Sequence, residues 1–312
     1  MTSRPENRMR LPDAVTICEV GPRDGLQNEP TNVPTAGKIR LIEALTDAGI
    51  RRMEATSFVA PKWIPNLADA GEVLAGVRRV SGVAYAALVP NLKGLERALA
   101  AKADAAVLFL SASETHSQKN INKTIAQALD TYAEVAAQAK AAGLYVKGAV
   151  SMCFGCPFEG DVDPAVVVRI ASALLSMGAD EVSISDTGGT ANPRQVYEVT
   201  VRVAEQIPVE KISLHFHDTR GAALANVLAG LQAGVSVYDA SVGGLGGCPY
   251  SKGATGNVAT EDLVHMLHEM RIATGVDLPK LIDCARLAGD LVGRAVGSRL
   301  ANVGPVNHRG GR

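Results

Sequence analysis

From Val15 onward the chain repeats one unit eight times: a short apolar, β-branched run followed by a longer Ala/Leu/Glu/Lys/Arg-rich stretch of helical period. The candidate strands are Val15 to Val20, Arg52 to Ser57, Ala84 to Val89, Ala106 to Leu110, Leu144 to Val150, Glu181 to Ser185, Ile212 to His217 and Val237 to Ser241. The helices that follow are expected to begin near Thr35, Asn66, Leu92, Ile121, Pro164, Pro193, Ala222 and Thr260. Asp163-Pro164 and Asn192-Pro193 are cap-plus-proline starts, and Gly143, Gly178 and Gly234 stand where a left-handed C-cap precedes the next strand. Eight β/α units over about 250 residues match the arithmetic of a (β/α)8 TIM barrel.

A doubly wound open sheet alternates in the same way, so the placement of polar residues has to separate the two. An open sheet gathers functional side chains at one switch point, whereas a barrel carries them at the C-terminal ends of many strands. Here polar candidates follow strands one, two, five, six, seven and eight, which favours the barrel. Residues 1–275 are read as the catalytic barrel domain. The remainder, 276–312, is read as a C-terminal extension with one or two helices over Leu278 to Val296 and a polar tail from Val303 to Arg312.

Strand seven, KISLHFHDTRG, puts Leu214 and Phe216 on one face and His215 and His217 on the other, because side chains alternate with period two. Two imidazoles projecting together into a barrel mouth have metal-ligand geometry, although a pair alone is equally well two hydrogen-bonded histidines. At the end of strand one, EVGPRDGLQNE adds Arg23 and Asp24. Asp24 offers a hard oxygen ligand, and two histidines with one carboxylate and water suit a divalent ion such as Mg²⁺, Mn²⁺ or Zn²⁺. Arg23 offers a planar donor fork to a substrate carboxylate, carbonyl or enolate oxygen.

After strand eight, the fifteen residues from Gly243 to Asn257 carry six glycines and no apolar periodicity. A loop of that length is usually functional, and its glycines allow hinging and close approach to a ligand. Cys248 at its centre is the candidate reactive side chain, and Asn257, where the loop re-enters a helix, offers an amide oxygen as a further hard ligand. Glu54 in MEATSF and Asp186 in SISDTGGT project from the ends of strands two and six. Cys153 and Cys156 have the C-x-x-C spacing of a redox or zinc half-site but no second cysteine pair, so neither role is read there, and His265 and His268 lack a carboxylate partner pattern and are read as surface or packing residues.

Lys plus Arg (31) nearly cancels Asp plus Glu (32), so nothing in the charge balance draws this chain to nucleic acid or an anionic membrane. No uninterrupted apolar run of about 18 residues is present, and Met1 to Asp13 is polar with three arginines, so transmembrane and secretory readings are disfavoured. Five widely spread cysteines make a poor disulfide framework, which points to a reducing, cytoplasmic compartment. A homo-oligomer, dimer or tetramer, is expected.

In these residues the sequence resembles the 3-hydroxy-3-methylglutaryl-CoA lyases, within the DRE-type TIM-barrel metallolyases and synthases. VGPRDGLQNE, SFVAPKWIPN, PNLKG, KNIN, GCPFEG, HFHDT and GGLGGCPYSKGATGNVATEDLVHML carry the resemblance from Val15 to Val276. It implies that Asp24, His215, His217 and Asn257 hold a divalent metal, Mg²⁺ or Mn²⁺, that Arg23 contacts the substrate carbonyl and that Cys248 is the catalytic cysteine. Glu54 and Asp186 match further active-site carboxylates, and Asn120 in QKNIN matches a position near the thioester arm of an acyl-CoA substrate. The implied reaction is retro-aldol cleavage to acetyl-CoA and acetoacetate, as in leucine degradation. Lyases for citramalyl-CoA or a longer 3-hydroxy-3-alkylglutaryl-CoA are the alternative. SETHSQ and Arg220 depart from the form of the best-known members, and both departures bear on the acyl substrate.

Overall fold

The computed structural model describes residues 9–247 and 256–304. Eight parallel strands, β1 (Thr16–Glu19), β2 (Arg52–Ser57), β3 (Ala84–Leu88), β4 (Ala105–Ser111), β5 (Tyr145–Ser151), β6 (Glu181–Asp186), β7 (Ile212–Phe216) and β8 (Val237–Ala240), pair in chain order. The barrel closes where Thr16 to Glu19 of β1 run in register with Val237 to Ala240 of β8. Every expected strand is present within a residue or two of its expected ends, and the TIM barrel replaces the open-sheet rival.

Helices α1 (Thr35–Asp47), α2 (Ala70–Gly76), α3 (Leu92–Ala100), α4 (Glu114–Ile121), α5 (Ile125–Ala141), α6 (Pro164–Ser176), α7 (Pro193–Ala204), α8 (Ala223–Gln232) and α9 (Thr260–Glu269) surround the strands. Asp163 and Asn192 cap α6 and α7 by accepting the N–H of Ala165 and Gln195, so the cap-plus-proline readings hold. The fourth unit differs from expectation. Instead of one helix starting near Ile121, α4 ends there, with Asn122 in the left-handed conformation, and α5 starts afresh in a capping box formed by Thr124 and Gln127. In the second unit the chain makes only a 3-10 turn at Pro65–Leu67, and α2 follows it at Ala70.

The main core lies between the outward faces of the strands and the helices. Leu214 and Phe216 are buried there, each burial contributing about 1.5–3 kcal/mol, which fixes the opposite face of β7, with His215, toward the barrel axis. A separate small cluster of Ala86, Ala105, Val107 and Ala149, with Phe109 against it, fills one side of the barrel interior. The remaining interior is polar and charged, with Glu54, Lys147, Glu181, Ser183, Ser213 and Asp239 all buried. Two further helices, α10 (Leu278–Val292) and α11 (Arg299–Val303), pack on α1 and α9, and Leu281, Ile282, Ala285 and Leu300 join the main core. Among the described residues no helix is long and apolar enough to cross a membrane.

Candidate active site

The first β-to-α connection is not an open loop. Gly21–Gly25 form a single π-helical turn in which the Val20 carbonyl accepts from the backbone N–H of Arg23, Asp24 and Gly25. Such turns place consecutive side chains unusually and recur at functional sites. Here the turn aims Arg23 and Asp24 over the barrel mouth while burying most of Arg23, which is 6% exposed.

The Asp24 carboxylate meets His215 and His217 there. One ligand atom from each of the three lies within 4.8 Å of the others, the spacing needed to share one cation. His217 follows β7 directly and forms an isolated bridge with Asn257, because the chain returning from the Gly-rich loop pairs against the end of that strand. The bonds that set this register are Asp218 N–H to Gly256 O at 2.9 Å and Val258 N–H to Phe216 O at 3.0 Å. Asn257 donates through Nδ2 to Asp24 Oδ2 at 2.8 Å and to the Leu245 carbonyl at 3.0 Å.

Its other side-chain atom, Oδ1, is buried with no hydrogen-bond partner among the described residues, and so is His217 Nδ1. Orphaned buried acceptors cost about 1–3 kcal/mol each, so two of them beside a carboxylate and a second imidazole fit a site built for a cation. The electrostatics agree. Burial pushes Asp24 up, but Arg23, His215 and His217 outweigh it and hold the carboxyl below its usual range. Burial, aided by His215 and opposed by Asp24, lowers the His217 imidazole to about 4, which keeps it neutral and able to ligate.

Arg23 is held from two sides. Its Nε donates to Glu54 Oε2 at 2.7 Å, Nη2 bonds the same oxygen, and Nη1 donates to Asp24 Oδ1 at 2.7 Å. Glu54, 1% exposed, therefore orients the guanidinium from beneath. Among the described residues, three of the five guanidinium N–H groups are engaged in this way, and the other two remain for a ligand.

Asp186 is placed at the end of β6, but its oxygens accept from the backbone N–H of Thr190 at 2.9 Å and Ala191 at 3.1 Å, which shapes the β6-to-α7 loop. Burial raises its carboxyl despite those bonds and the nearby His215. Arg220 donates to the carbonyls of Gly188 and Gly189 in the same loop, at 3.1 and 2.9 Å. Asn120 lies exposed near the end of α4, and among the described residues no hydrogen bond joins it to Asp24, His215 or His217. Cys248 lies outside the described residues. The roots of its loop are described: a Cβ on Gly256 would stand 2.1 Å from the Gly246 carbonyl oxygen, and both glycines have positive φ, so the two stems meet where only glycine fits.

The C-x-x-C pair lies in the main core, both thiols free. Cys153 Sγ contacts the Val150 carbonyl and Cys156 Sγ the Ser113 hydroxyl, each at 3.0 Å. His268 is likewise structural, its Nε2 2.8 Å from the Thr274 hydroxyl.

Four polar residues at or beneath the mouth are not singled out by the sequence pattern. Asn66 donates from Nδ2 to the carbonyls of Leu26, Gln27 and Glu29, steadying the chain just after Asp24. Glu19 accepts from the N–H of Gly21 at 2.7 Å and of Val242 at 2.8 Å and from the Thr260 hydroxyl at 2.6 Å, joining the Arg23–Asp24 turn to both roots of the Gly-rich loop. Lys147 and Asp239 form a buried ion pair at 2.6 Å below the metal-ligand cluster. A signal for this pair does exist, since each charged side chain interrupts an apolar strand at an inward position, but alternation alone cannot say what an inward charge meets.

Comparison with known proteins adds a family. Residues 14–288 match the family described as HMGL-like, which is metal-dependent. The chain is 50% identical over 295 residues, 95% of its length and 99% of the other, to a hydroxymethylglutaryl-CoA lyase of Bacillus subtilis. It is 47% identical over 295 residues, 95% of its length and 98% of the other, to a 3-hydroxy-3-isohexenylglutaryl-CoA/hydroxy-methylglutaryl-CoA lyase of Pseudomonas aeruginosa. An HMG-CoA lyase of Acinetobacter baumannii, solved with coenzyme A and 3-methylmalate, superimposes with a TM-score of 0.91 at 44% identity, covering 96% of this chain and 98% of that one.

Proposed function

The chain belongs to the HMGL-like family, and from that premise we propose that it cleaves 3-hydroxy-3-methylglutaryl-CoA to acetyl-CoA and acetoacetate, using the residues gathered at its barrel mouth. The single observation that carries the residue assignment is the convergence of Asp24, His215 and His217 within 4.8 Å, beside the orphaned Asn257 Oδ1. These four would hold the divalent ion, Mg²⁺ or Mn²⁺. When bound, such an ion acidifies a chelated hydroxyl and orients the substrate.

The chain's own groups then divide the work. The proton of the tertiary C3 hydroxyl passes through a water to Asp186, because both ring nitrogens of His215 are committed, one to the ion and one to Asp239. As the C3 carbonyl forms, the C2–C3 bond breaks and its electron pair enters the thioester enolate. Arg23, held by Glu54, directs its remaining N–H groups to the enolate oxygen. Cys248 gives a proton to C2, which becomes the methyl carbon of acetyl-CoA, and the proton taken from the hydroxyl restores the thiol through solvent. The length and glycine content of the segment that carries Cys248 suit it to keeping water from the carbanion. Asn120, exposed on α4, faces the coenzyme A arm.

The catalytic unit is the barrel through residue 275, and the extension from 276 closes one side of it, since α10 and α11 share its core. The four described cysteines are free and buried, which supports a cytoplasmic site of action, and the working form is a homo-oligomer.

The deciding experiment measures release of acetyl-CoA and acetoacetate from 3-hydroxy-3-methylglutaryl-CoA with Mg²⁺, with Mn²⁺ and with EDTA. Fast, chelator-sensitive release of both products is expected. Slow release beside fast turnover of citramalyl-CoA or a longer 3-alkyl analogue would transfer the assignment to that substrate.

A further inference from the structure

The charged groups inside the barrel form a circuit that begins and ends at the metal-ligand cluster. Asp24 bonds Arg23 at 2.7 Å, and Arg23 bonds Glu54 at 2.7 Å. Glu54 Oε1 lies 3.7 Å from Lys147 Nζ, which bonds Asp239 Oδ1 at 2.6 Å. Asp239 Oδ2 then lies 3.4 Å from His215 Nδ1. Charge alternates at every step from Asp24 to Asp239, and the circuit closes through the shared ligand position of Asp24 and His215.

We infer that Asp239 is a positioning residue for the metal centre, a carboxylate that holds His215 through Nδ1 so that Nε2 presents its lone pair to the ion. The inference rests on the reading of His215 as a metal ligand.

The geometry supports it from both sides of the carboxylate. Neighbouring strands put His215 and Asp239 directly opposite each other in the β7–β8 register, both on the inward face. Lys147 takes Oδ1, while Oδ2 receives the Ser183 hydroxyl at 3.2 Å and faces the imidazole, so neither oxygen can rotate away without losing a partner. The carboxylate is 4% exposed and Lys147 is 2% exposed, which makes this a dry pair rather than a surface contact. Lys147 itself is also faced by Glu54 at 3.7 Å and Glu181 at 3.9 Å, so its one positive charge is shared among three carboxylates. That sharing leaves Asp239 with enough negative charge to favour a donor, the Nδ1–H, over a lone pair opposite it. A buried ion pair by itself is weak evidence for stability, since an apolar pair of equal volume often serves as well. A carboxylate behind a ligating imidazole does something an apolar pair cannot. It fixes tautomer and ring orientation, and its loss commonly weakens metal affinity by about 10–100-fold.

Two measurements decide the matter on the full chain. In metal-free wild-type protein labelled with ¹⁵N-histidine, the His215 resonances, assigned by their loss in His215→Gln, should show the proton on Nδ1. A proton on Nε2 overturns the proposal without any variant at Asp239. Separately, Mn²⁺ affinity of dialysed protein should fall about 10–100-fold in Asp239→Asn. It should fall a few-fold in Ser183→Ala, which leaves the charges intact and settles the question if Asp239→Asn does not fold. Wild-type affinity in the folded Asp239→Asn protein, or in Ser183→Ala where only that variant folds, overturns the proposal, provided that His215→Gln has lost affinity. If His215→Gln also binds Mn²⁺ as wild type does, the ligand assignment of His215 is what fails.

Discussion

Asn257 and Asp24, 233 positions apart in sequence, are joined by a 2.8 Å hydrogen bond from Nδ2 to Oδ2. The bond settles the orientation of the amide, because Nδ2 is committed to Asp24 and to the Leu245 carbonyl, and Oδ1 is left to point at the ligand position. Asn257→Ala should therefore remove a ligand and release Asp24 Oδ2 at once, with Oδ1 still held by Arg23. Divalent affinity, read by calorimetry on dialysed protein, should fall by at least about tenfold. Equal affinity would take Asn257 out of the ligand set.

Glu54 and Arg23 make the next prediction. Glu54→Ala leaves a buried guanidinium with a partner missing, a change that costs about 3–5 kcal/mol and is read in urea unfolding. Glu54→Gln keeps the shape and an acceptor but not the charge. In that variant kcat should fall on the order of 10²-fold with the fold retained, as for a misdirected oxyanion donor. Full activity in Glu54→Gln would mean that Arg23 needs no charged support.

Cys248→Ala should leave metal binding intact while turnover falls on the order of 10³-fold, if the thiol is the proton donor to C2. Solvent deuterium incorporated into the acetyl-CoA methyl group follows the same step directly. A variant that turns over at the normal rate would dismiss the thiol.

Stability should respond to pH through two carboxylates beneath the loop roots. Burial pushes both Glu19 and Glu261 from the ordinary 4.5 up to about 7, against their hydrogen bonds. Between those values the folded protein binds more protons than the unfolded chain, so stability falls as pH rises from 4.5 to about 7 and levels off above. Glu19→Gln removes one of the two groups while keeping an acceptor for Gly21 and Val242. Its melting temperature relative to wild type should rise steadily across that window. A constant difference between the two proteins from about pH 4.5 to about pH 7 would contradict the assignment.

Dialysis against EDTA should abolish product release, and Mg²⁺ or Mn²⁺ should restore it. Metal should also raise the melting temperature of wild type more than that of His217→Ala. Identical shifts in the two proteins would remove His217 from the centre.

Period and punctuation in the chain were enough to determine the barrel and to mark Arg23, Asp24, His215, His217 and Asn257, which the structure gathers at its mouth. Strands such as Ile212–Phe216 are legible because one face must be apolar for the helices, and that requirement by itself turns His215 inward. Arg23, Asp24, Cys248 and Asn257 stood out because unusual residues at strand ends or in a Gly-rich loop have few structural reasons to be there. Where one helix ended and another began in the fourth unit depended on the competition between Ser113, Asn122 and Thr124 as caps, which local pattern does not rank. What only the tertiary structure decided is which charges meet. Lys147 and Asp239 lie 92 positions apart and Glu19 and Thr260 lie 241 apart, each pair brought together by barrel closure and strand register. Alternation tells a residue which way to face. Its partner across the barrel is set by how eight strands tilt and close, a property of the whole sheet that no single segment carries.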